Sequence, residues 1–418
     1  MRHPNGSSRS SPSEPEHSWA GRLRFYLVLA SMTTLGPFSL DMYLPGLPAL
    51  GKELHASESA AQLTLTACLI GLGVGQLLGG PLSDAVGRRM PTVAAIVTYA
   101  VASVLCAVAP SLPLLLASRF IQGVAGGAVG VVATAVVRDR YAGRAAAQFF
   151  ALLLLVTLLS PLFAPVFGGA LLVVTSWRGV FVALAVIGVT LLLVALLGLP
   201  ETLPSERRRR GGFRDAALTL GRLSTDRSFI GYALPAALAG GAIFTYLAGS
   251  AFVLEQIYGT SPQIYGLLFA LNGIALGVSS QVNRWLLNRL SSERLFAIGL
   301  VGLAAGGLTL ILGVAFGVAG AVVIVAPVML IIASNGFIGP NSASLALTPH
   351  PDAAGSGAAL LGSLRFTVGG VVAPLVGTLG SKTALPLAII MCCLCVAAPL
   401  AALVGRPAFK TSIPTRTA

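Results

Sequence analysis

Three observations predict an all-α integral membrane fold of twelve transmembrane helices in two pseudo-symmetric six-helix bundles: extreme apolarity, twelve apolar runs long enough to span a bilayer, and basic residues gathered on one side. The 418 residues are 55% hydrophobic and only 10% charged, with a mean hydropathy of +0.86. A soluble domain with a mixed surface has no use for such a composition. In lipid the backbone must satisfy its own hydrogen bonds, so each long apolar run predicts a helix.

Residues 1–22 are rich in Ser, Pro and charge and have no apolar core, which argues against a cleaved signal peptide and predicts a disordered cytosolic tail. Runs on the order of 20 residues, the length a bilayer requires, follow near 24–48, 60–81, 90–109, 113–137, 146–172 and 178–199. Six more lie near 228–253, 262–287, 293–316, 320–346, 354–378 and 384–405. The N-terminal bundle is thus assigned to 23–200, a flexible basic cytosolic linker to 201–227, the C-terminal bundle to 228–405 and a cytosolic tail to 406–418. An even number of spans places both termini on one side. With that side inside, 22 of the 27 Lys and Arg residues fall on inner segments, and only Lys52, Arg178 and Lys382 fall outside. This bias predicts cytoplasmic termini. The net charge of +13 therefore reports topology and predicts no nucleic-acid partner. Cys68, Cys106, Cys392, Cys393 and Cys395 all sit in apolar stretches, where neither a disulfide framework nor a metal site is expected. The excess of Arg over Lys and the abundance of Ala, Gly and Val suggest a GC-rich bacterial source, hence a bacterial inner or plasma membrane.

The two halves echo each other. APVFGG (164–169) in span five matches APLVGT (373–378) in span eleven, and GVGQLLGGPLSDAVGRR after span two aligns with GVSSQVNRWLLNRLSSE after span eight, with Asp84 opposite Asn288. Such repeats place substrate and coupling-ion sites near mid-membrane, between the halves.

GPLSDAVGRR (80–89), RFIQGVAGG (119–127) and SPLFAPVFGGAL (160–171) resemble signature motifs of the major facilitator superfamily. In the first, Gly80 and Gly87 allow a tight turn, and Asp84 with Arg88 precedes the Arg138–Asp139 pair at the inner end of span four. Asp84 is expected to pair with Arg138, Arg140 or Arg144 and latch the cytosolic side closed, the alternative being a solvated turn. The third resembles the helix-five motif of exporters through Pro165, Gly168 and Gly169, although Ala164 stands where the motif has glycine; a generic packing face is the other reading. SLDMYLPGLPAL (39–50), QLTLTACLIGLGVGQLLGGPLSDAVGRR (62–89) and TYLAGSAFVLEQIYGTSPQIYGLLFALNG (245–273) are similar to the Bcr/CflA drug-resistance branch. That resemblance implies proton-driven export of hydrophobic antibiotics such as chloramphenicol or bicyclomycin. It also implies that Asp41 and Arg119 are the coupling pair.

Physical reasoning on the residues points to the same place. Of the 14 Asp and Glu residues, only Asp41 lies well within a span, where an ionisable group is costly enough to imply function. Asp41 and Arg119 both lie roughly 10 Å below the outer boundary at 1.5 Å per residue. They are therefore expected to meet at one depth, as a proton-coupling pair or as a fixed ion pair that orders the bundle. Arg365 sits mid-span with no acid to pair it. It either faces the cavity, favouring anionic, zwitterionic or electron-rich substrates, or snorkels toward the cytosol. Phe38, Tyr43, Phe244, Tyr246, Phe269, Asn272, Asn335 and Asn341 are candidates to line a drug-sized cavity. Ser31, Met32, Thr33 and Thr34 stand where a related exporter branch has a second acid, which argues against strong recognition of cationic drugs.

The expected activity is secondary active transport by alternating access, with protons, a small-molecule drug and the lipid bilayer as partners and the chain acting as a monomer. No cofactor is expected beyond the proton gradient. A carrier of a natural sugar, amino acid or siderophore is the alternative. No HExxH, nucleophile elbow or P-loop is present to suggest an enzyme.

Overall fold

The computed structural model describes residues 19–405 except 142, 209–211, 318–319, 351–352 and 379–382, and it leaves out the side chains of 19–24, most of 143–162, 207, 212 and 213. The first bundle is built from α1 (Trp19–Asp41), a 3-10 turn (Leu44–Gly46), α2 (Leu47–Glu53), α3 (Glu58–Val86), α4 (Arg89–Val108), α5 (Leu112–Arg140), α6 (Gly143–Val174) and α7 (Trp177–Gly198). After α8 (Gly212–Thr225) the second bundle comprises α9 (Arg227–Ala251) with a π-helical extension over Phe252–Ile257, α10 (Pro262–Leu286), α11 (Ser292–Ala315), α12 (Val322–Leu347), α13 (Ala354–Val372), α14 (Leu375–Thr378) and α15 (Leu385–Gly405). Eleven helices among the described residues are long and apolar enough to span a membrane. The 32-residue α6 supplies the twelfth span.

Local chemistry sets the boundaries. Ser57, Ser176, Asp226, Ser261 and Ser291 cap α3, α7, α9, α10 and α11 by accepting hydrogen bonds from first-turn N–H groups. Gly87 ends α3 at φ 106°, a backbone state that a side chain would strain. Inside the first bundle, α3 and α5 approach at backbone contact. Added side chains at Gly71, Gly75 and Gly79 would strike Phe120, Val124 and Ala128, and those at Gly123 and Gly127 would strike Cys68 and Leu72. Small residues at these crossings replace the hydrophobic drive that lipid does not supply between helices.

The linker departs from expectation. Between the bundles the chain folds into α8, which packs against α3, α9 and α13. Ala216, Thr219, Leu220 and Leu223 recur at helical spacing, and Leu223 is buried. That stripe was obscured by the flanking arginine run, so the sequence reading of 201–227 missed the helix Gly212–Thr225. The expected tail residues 1–18 and 406–418 lie outside the described residues.

The bundles meet unequally along their length. One end of the molecule carries Arg88, Arg138, Arg222 and Arg227. At this basic end the buried apolar residues form two separate clusters: Phe25 to Leu199 in the first bundle, and Leu223, Phe229, Ala233 and Ala346 at the second. Toward the opposite end one continuous cluster runs from Leu40 through Leu184 into Ala239 and on to Ala402, fusing both bundles. Gly377 N–H donates to Gln62 Oε1 at 3.0 Å and Ser59 Oγ to Pro374 O at 3.3 Å across that seal. A vestibule of about 440 Å³ separates the bundles at the basic end, lined by Asp84, Arg88, Arg138 and Asp139 of the first, Asp215 of α8 and Gly355 and Ser356 of the second. The cleft thus opens to the basic end and is shut at the other.

Candidate functional site

Asp41 is the last residue of α1. Pro45 has no N–H to offer the Asp41 carbonyl, so the helical ladder stops there and resumes only at Leu47. A broken helix inside a membrane protein exposes backbone groups and marks ion and ligand sites in transporters. The Asp41 residue is 4% exposed, and its carboxylate has no hydrogen bond or ion pair among the described residues. Leu40 and Met42 on either side of it belong to the apolar cluster that both bundles share, and the turn that follows packs against α10 of the other bundle. Asp41 therefore sits at the seam between bundles, next to the sealed end.

Arg119 does not meet Asp41, contrary to the expectation from depth alone. Its guanidinium is fully buried and turned toward α3 and α4. It donates to Gln122 Oε1 at 2.6 Å and to the Thr64 carbonyl at 3.4 Å, and lies 4.2 Å from the centre of the Tyr43 ring. Gln122 passes the connection to Ser103 at 2.7 Å, and Tyr43 Oη shares a hydrogen bond with Thr64 Oγ1 at 3.1 Å. Equal depth is no guarantee of contact, because a helix also has azimuth and these neutral acceptors pull Arg119 away. One guanidinium nitrogen, Nη2, has no partner. The RFIQG stretch held a signal for Gln122, one turn after Arg119 on the same face. Thr64, Ser103 and the Ser39–Tyr99 hydroxyl pair at 2.7 Å had no signal of their own.

At the basic end the acid–base cluster forms, but through another arginine. Arg88 bridges Asp84 at 2.6 Å and Asp139 at 2.8 Å, and also donates to Ser83 Oγ at 2.7 Å. Arg138 instead projects into the vestibule beside Gly355, Arg140 lies over the Phe25 ring, and the side chain of Arg144 is outside the described residues. Gly80 lines the vestibule and Gly87 makes the turn. The cluster stays within the first bundle, so in this open state it does not bridge the halves. Glu201, after α7, completes it by accepting from the N–H groups of Arg88 at 2.8 Å, Arg89 at 3.2 Å and Leu203 at 3.0 Å. Against the burial that would raise it, these N–H groups hold the Glu201 carboxyl below its ordinary value. A second unforeseen clamp lies at the sealed end, where Glu53 accepts from Trp177 Nε1 at 2.7 Å and from Arg178 Nε at 3.0 Å.

The helix-five residues occupy a crossing. Gly168 presses on the Met42 carbonyl at the break after Asp41, while Gly169 faces the Pro262 carbonyl and the Pro165 carbonyl faces Gly266, both on α10. α6 therefore touches both the broken first span and the opposite bundle.

The proposed cavity residues divide. Tyr43 is buried under Arg119. Tyr246 accepts from Asn272 at 3.1 Å and stacks on Phe269, and Asn341 donates to Asn283 at 2.7 Å between α12 and α10. These five are packed into the fused core and are closed to a ligand in this state, since the expectation gave no account of which end was sealed. Asn272 Oδ1 is nevertheless left without a partner. Phe38 and Asn335 are partly exposed, Phe244 is buried and Arg365 is exposed.

Residues 29–374 match the Major Facilitator Superfamily. The chain is 38% identical over 373 residues to the uncharacterized MFS-type transporter YdgK of Bacillus subtilis, covering 88% of this chain and 92% of that one. It is 28% identical over 363 residues to the bicyclomycin resistance protein homolog of Haemophilus influenzae (87% and 91% covered). It is 31% identical over 257 residues to the multidrug resistance protein MdtL of Escherichia coli (61% and 65% covered). In fold it is similar to a D-xylose-proton symporter, with a TM-score of 0.73 at 17% identity over 92% of this chain and 98% of that one. A bacterial homolog of human Spinster in an inward-facing, occupied conformation gives a TM-score of 0.68 at 16% identity over 93% and 97%.

Proposed function

This chain belongs to the major facilitator superfamily, a family of secondary transporters rather than enzymes, and we propose that it exports drug-sized hydrophobic compounds in exchange for protons, with its basic end in the cytosol. The observation that carries the reading is Asp41: an almost fully buried carboxylate without a partner, at a helix break, on the seam that must open and close. The match to relatives named for bicyclomycin and multidrug resistance supports the export of antibiotics.

The physical cycle follows from the seam. With the cleft open to the cytosol, a substrate enters between the bundles. Its contacts bias the equilibrium toward the state open on the other side, which is possible only if it binds the two states differently. Once that side opens, Asp41 is hydrated, takes a proton and weakens the hold on the substrate. Return to the inward-open state carries the neutral acid across, since a buried charge is costly and a protonated carboxyl is not. Arg119 is the positioning residue. Its positive charge sits one layer behind Tyr43, and the Tyr43 ring and the Asp41 carboxyl flank the same break. The excess of inward-lying arginines agrees with the assigned orientation.

The test uses purified protein in vesicles loaded with a pH-sensitive dye. Addition of a neutral antibiotic to one side of a pH-poised membrane should draw protons across to the side the drug came from. Proton movement with sugars, amino acids or siderophores, and none with antibiotics, favours a carrier of a natural solute and contradicts this reading.

A further inference from the structure

Arg365 is the twelfth residue of α13, in the middle of the span Ala354–Thr378. Its stem lies against Gly240 of α9, and yet the residue is exposed. Helix geometry says where the exposure points. At about 100° per residue, the lipid-side residues Thr367 and Val371 lie roughly 200° and 240° around α13 from it. Gly362 and Gly370 turn toward Gln76 and Ile70 of α3, and Val368 and Gly369 toward Gly241 and Phe244 of α9. By the same count Val368 and Gly369 bracket Arg365, so it lies on the α9 side of α13 beside the face that meets α3, which puts its exposed head near the seam between the bundles and away from Thr367 and Val371.

The cation has no counter-charge. Its guanidinium meets no carboxylate and no hydrogen-bond acceptor among the described residues, and the segments outside the description hold only Glu14, Glu16 and Asp352, in the tail and in the connection before α13. Room has been made for the side chain nevertheless. Gly240 leaves a groove on α9 in which the aliphatic stem lies, and the guanidinium carbon sits 5.7 Å from the centre of the Phe244 ring, within cation–π range. Phe366 stands 5.5 Å from Phe244, ring centre to ring centre, and extends the aromatic surface. A supported but unpaired arginine is a planar fork suited to a carboxylate, sulfonate or phosphonate.

We propose that Arg365, with Phe244 and Phe366, is a substrate subsite for amphipathic aromatic anions, so that compounds pairing an aromatic body with one negative group are preferred to neutral compounds and far above cations. The proposal rests on the transporter reading but concerns recognition, which is measured apart from coupling. Dansyl-phenylalanine, its amide and a trimethylammonium-ethyl amide of the same scaffold are titrated against protein in nanodiscs. The anion should bind about tenfold more tightly than the amide, the value of one charge-assisted fork, with the cation weakest. Arg365→Gln should collapse the anion-to-amide ratio to about one, and Arg365→Lys should restore part of it, with melting curves establishing that both variants fold. Wild-type protein that binds the anion no better than the amide, or an Arg365→Gln variant that weakens both equally, overturns the proposal. Proton-driven movement of the amide, followed separately in vesicles, reports on the exporter reading alone.

Discussion

In the first bundle a cation is buried completely: Arg119 is held by Thr64, Gln122 and the Tyr43 ring, apart from the unpaired Asp41 of the same bundle. Among the described residues of the second bundle the buried polar contacts are neutral pairs, Tyr246–Asn272, Ser250–Tyr265 and Asn283–Asn341, while the mid-span Arg365 is exposed. Helix count and packing repeat between the halves, but the chemistry does not. Under the proposed function, coupling would belong to one bundle and recognition to the other, with both at the seam between them.

The largest effect should come from the buried cation. Arg119→Ala leaves a cavity and strips Gln122 of its donor, costing about 3 kcal/mol or more. Asn341→Ala leaves one amide unpaired and should cost about 1–2 kcal/mol. Equal losses in thermal unfolding would erase the contrast between the bundles. Helix packing gives a smaller effect of known sign. Gly75→Ala drives a methyl group into the Val124 carbonyl and should cost about 1–3 kcal/mol. Gly130→Ala, where nothing lies within 4 Å, should gain roughly 0.5–1 kcal/mol from helix propensity. A neutral Gly75→Ala would mean that α3 and α5 are looser than their contact implies.

The smallest effect is electrostatic. The Glu201 carboxyl is held below its ordinary value in the folded protein, so its contribution is present above the usual Glu range, about 4.3, and is lost as pH falls through the depressed folded value. Glu201→Gln should therefore melt slightly below wild type at neutral pH, and the two curves should converge under acid. A difference that grows with acidity would reverse the assigned sign.

The spans, their boundaries and the side on which arginine gathers were legible because lipid imposes a length and a charge rule on every helix. The break after Asp41 had a signal in Pro45, but the first span was read as one continuous run over 24–48. What stayed hidden depended on azimuth and on distant partners. Arg119 and Asp41 share a depth and not a face. Glu53 meets Trp177 and Arg178 only after four intervening spans have turned the chain back. Arg88 rather than Arg138 holds Asp84 because Asp139 sits where both acids can share one guanidinium. The α8 stripe was masked by its basic neighbours. The orientation of Arg365 became clear only when the exposed and packed sides of α13 could be compared.

Asp41→Asn in sealed vesicles tests the central claim most directly, because the amide keeps the shape of the acid and removes its proton. With substrate at equal concentration on both sides, tracer exchange should continue, since the seam still opens and closes. With a pH gradient imposed, accumulation against a concentration gradient should vanish in the variant and persist in wild type. Undiminished uphill accumulation by Asp41→Asn would contradict the account.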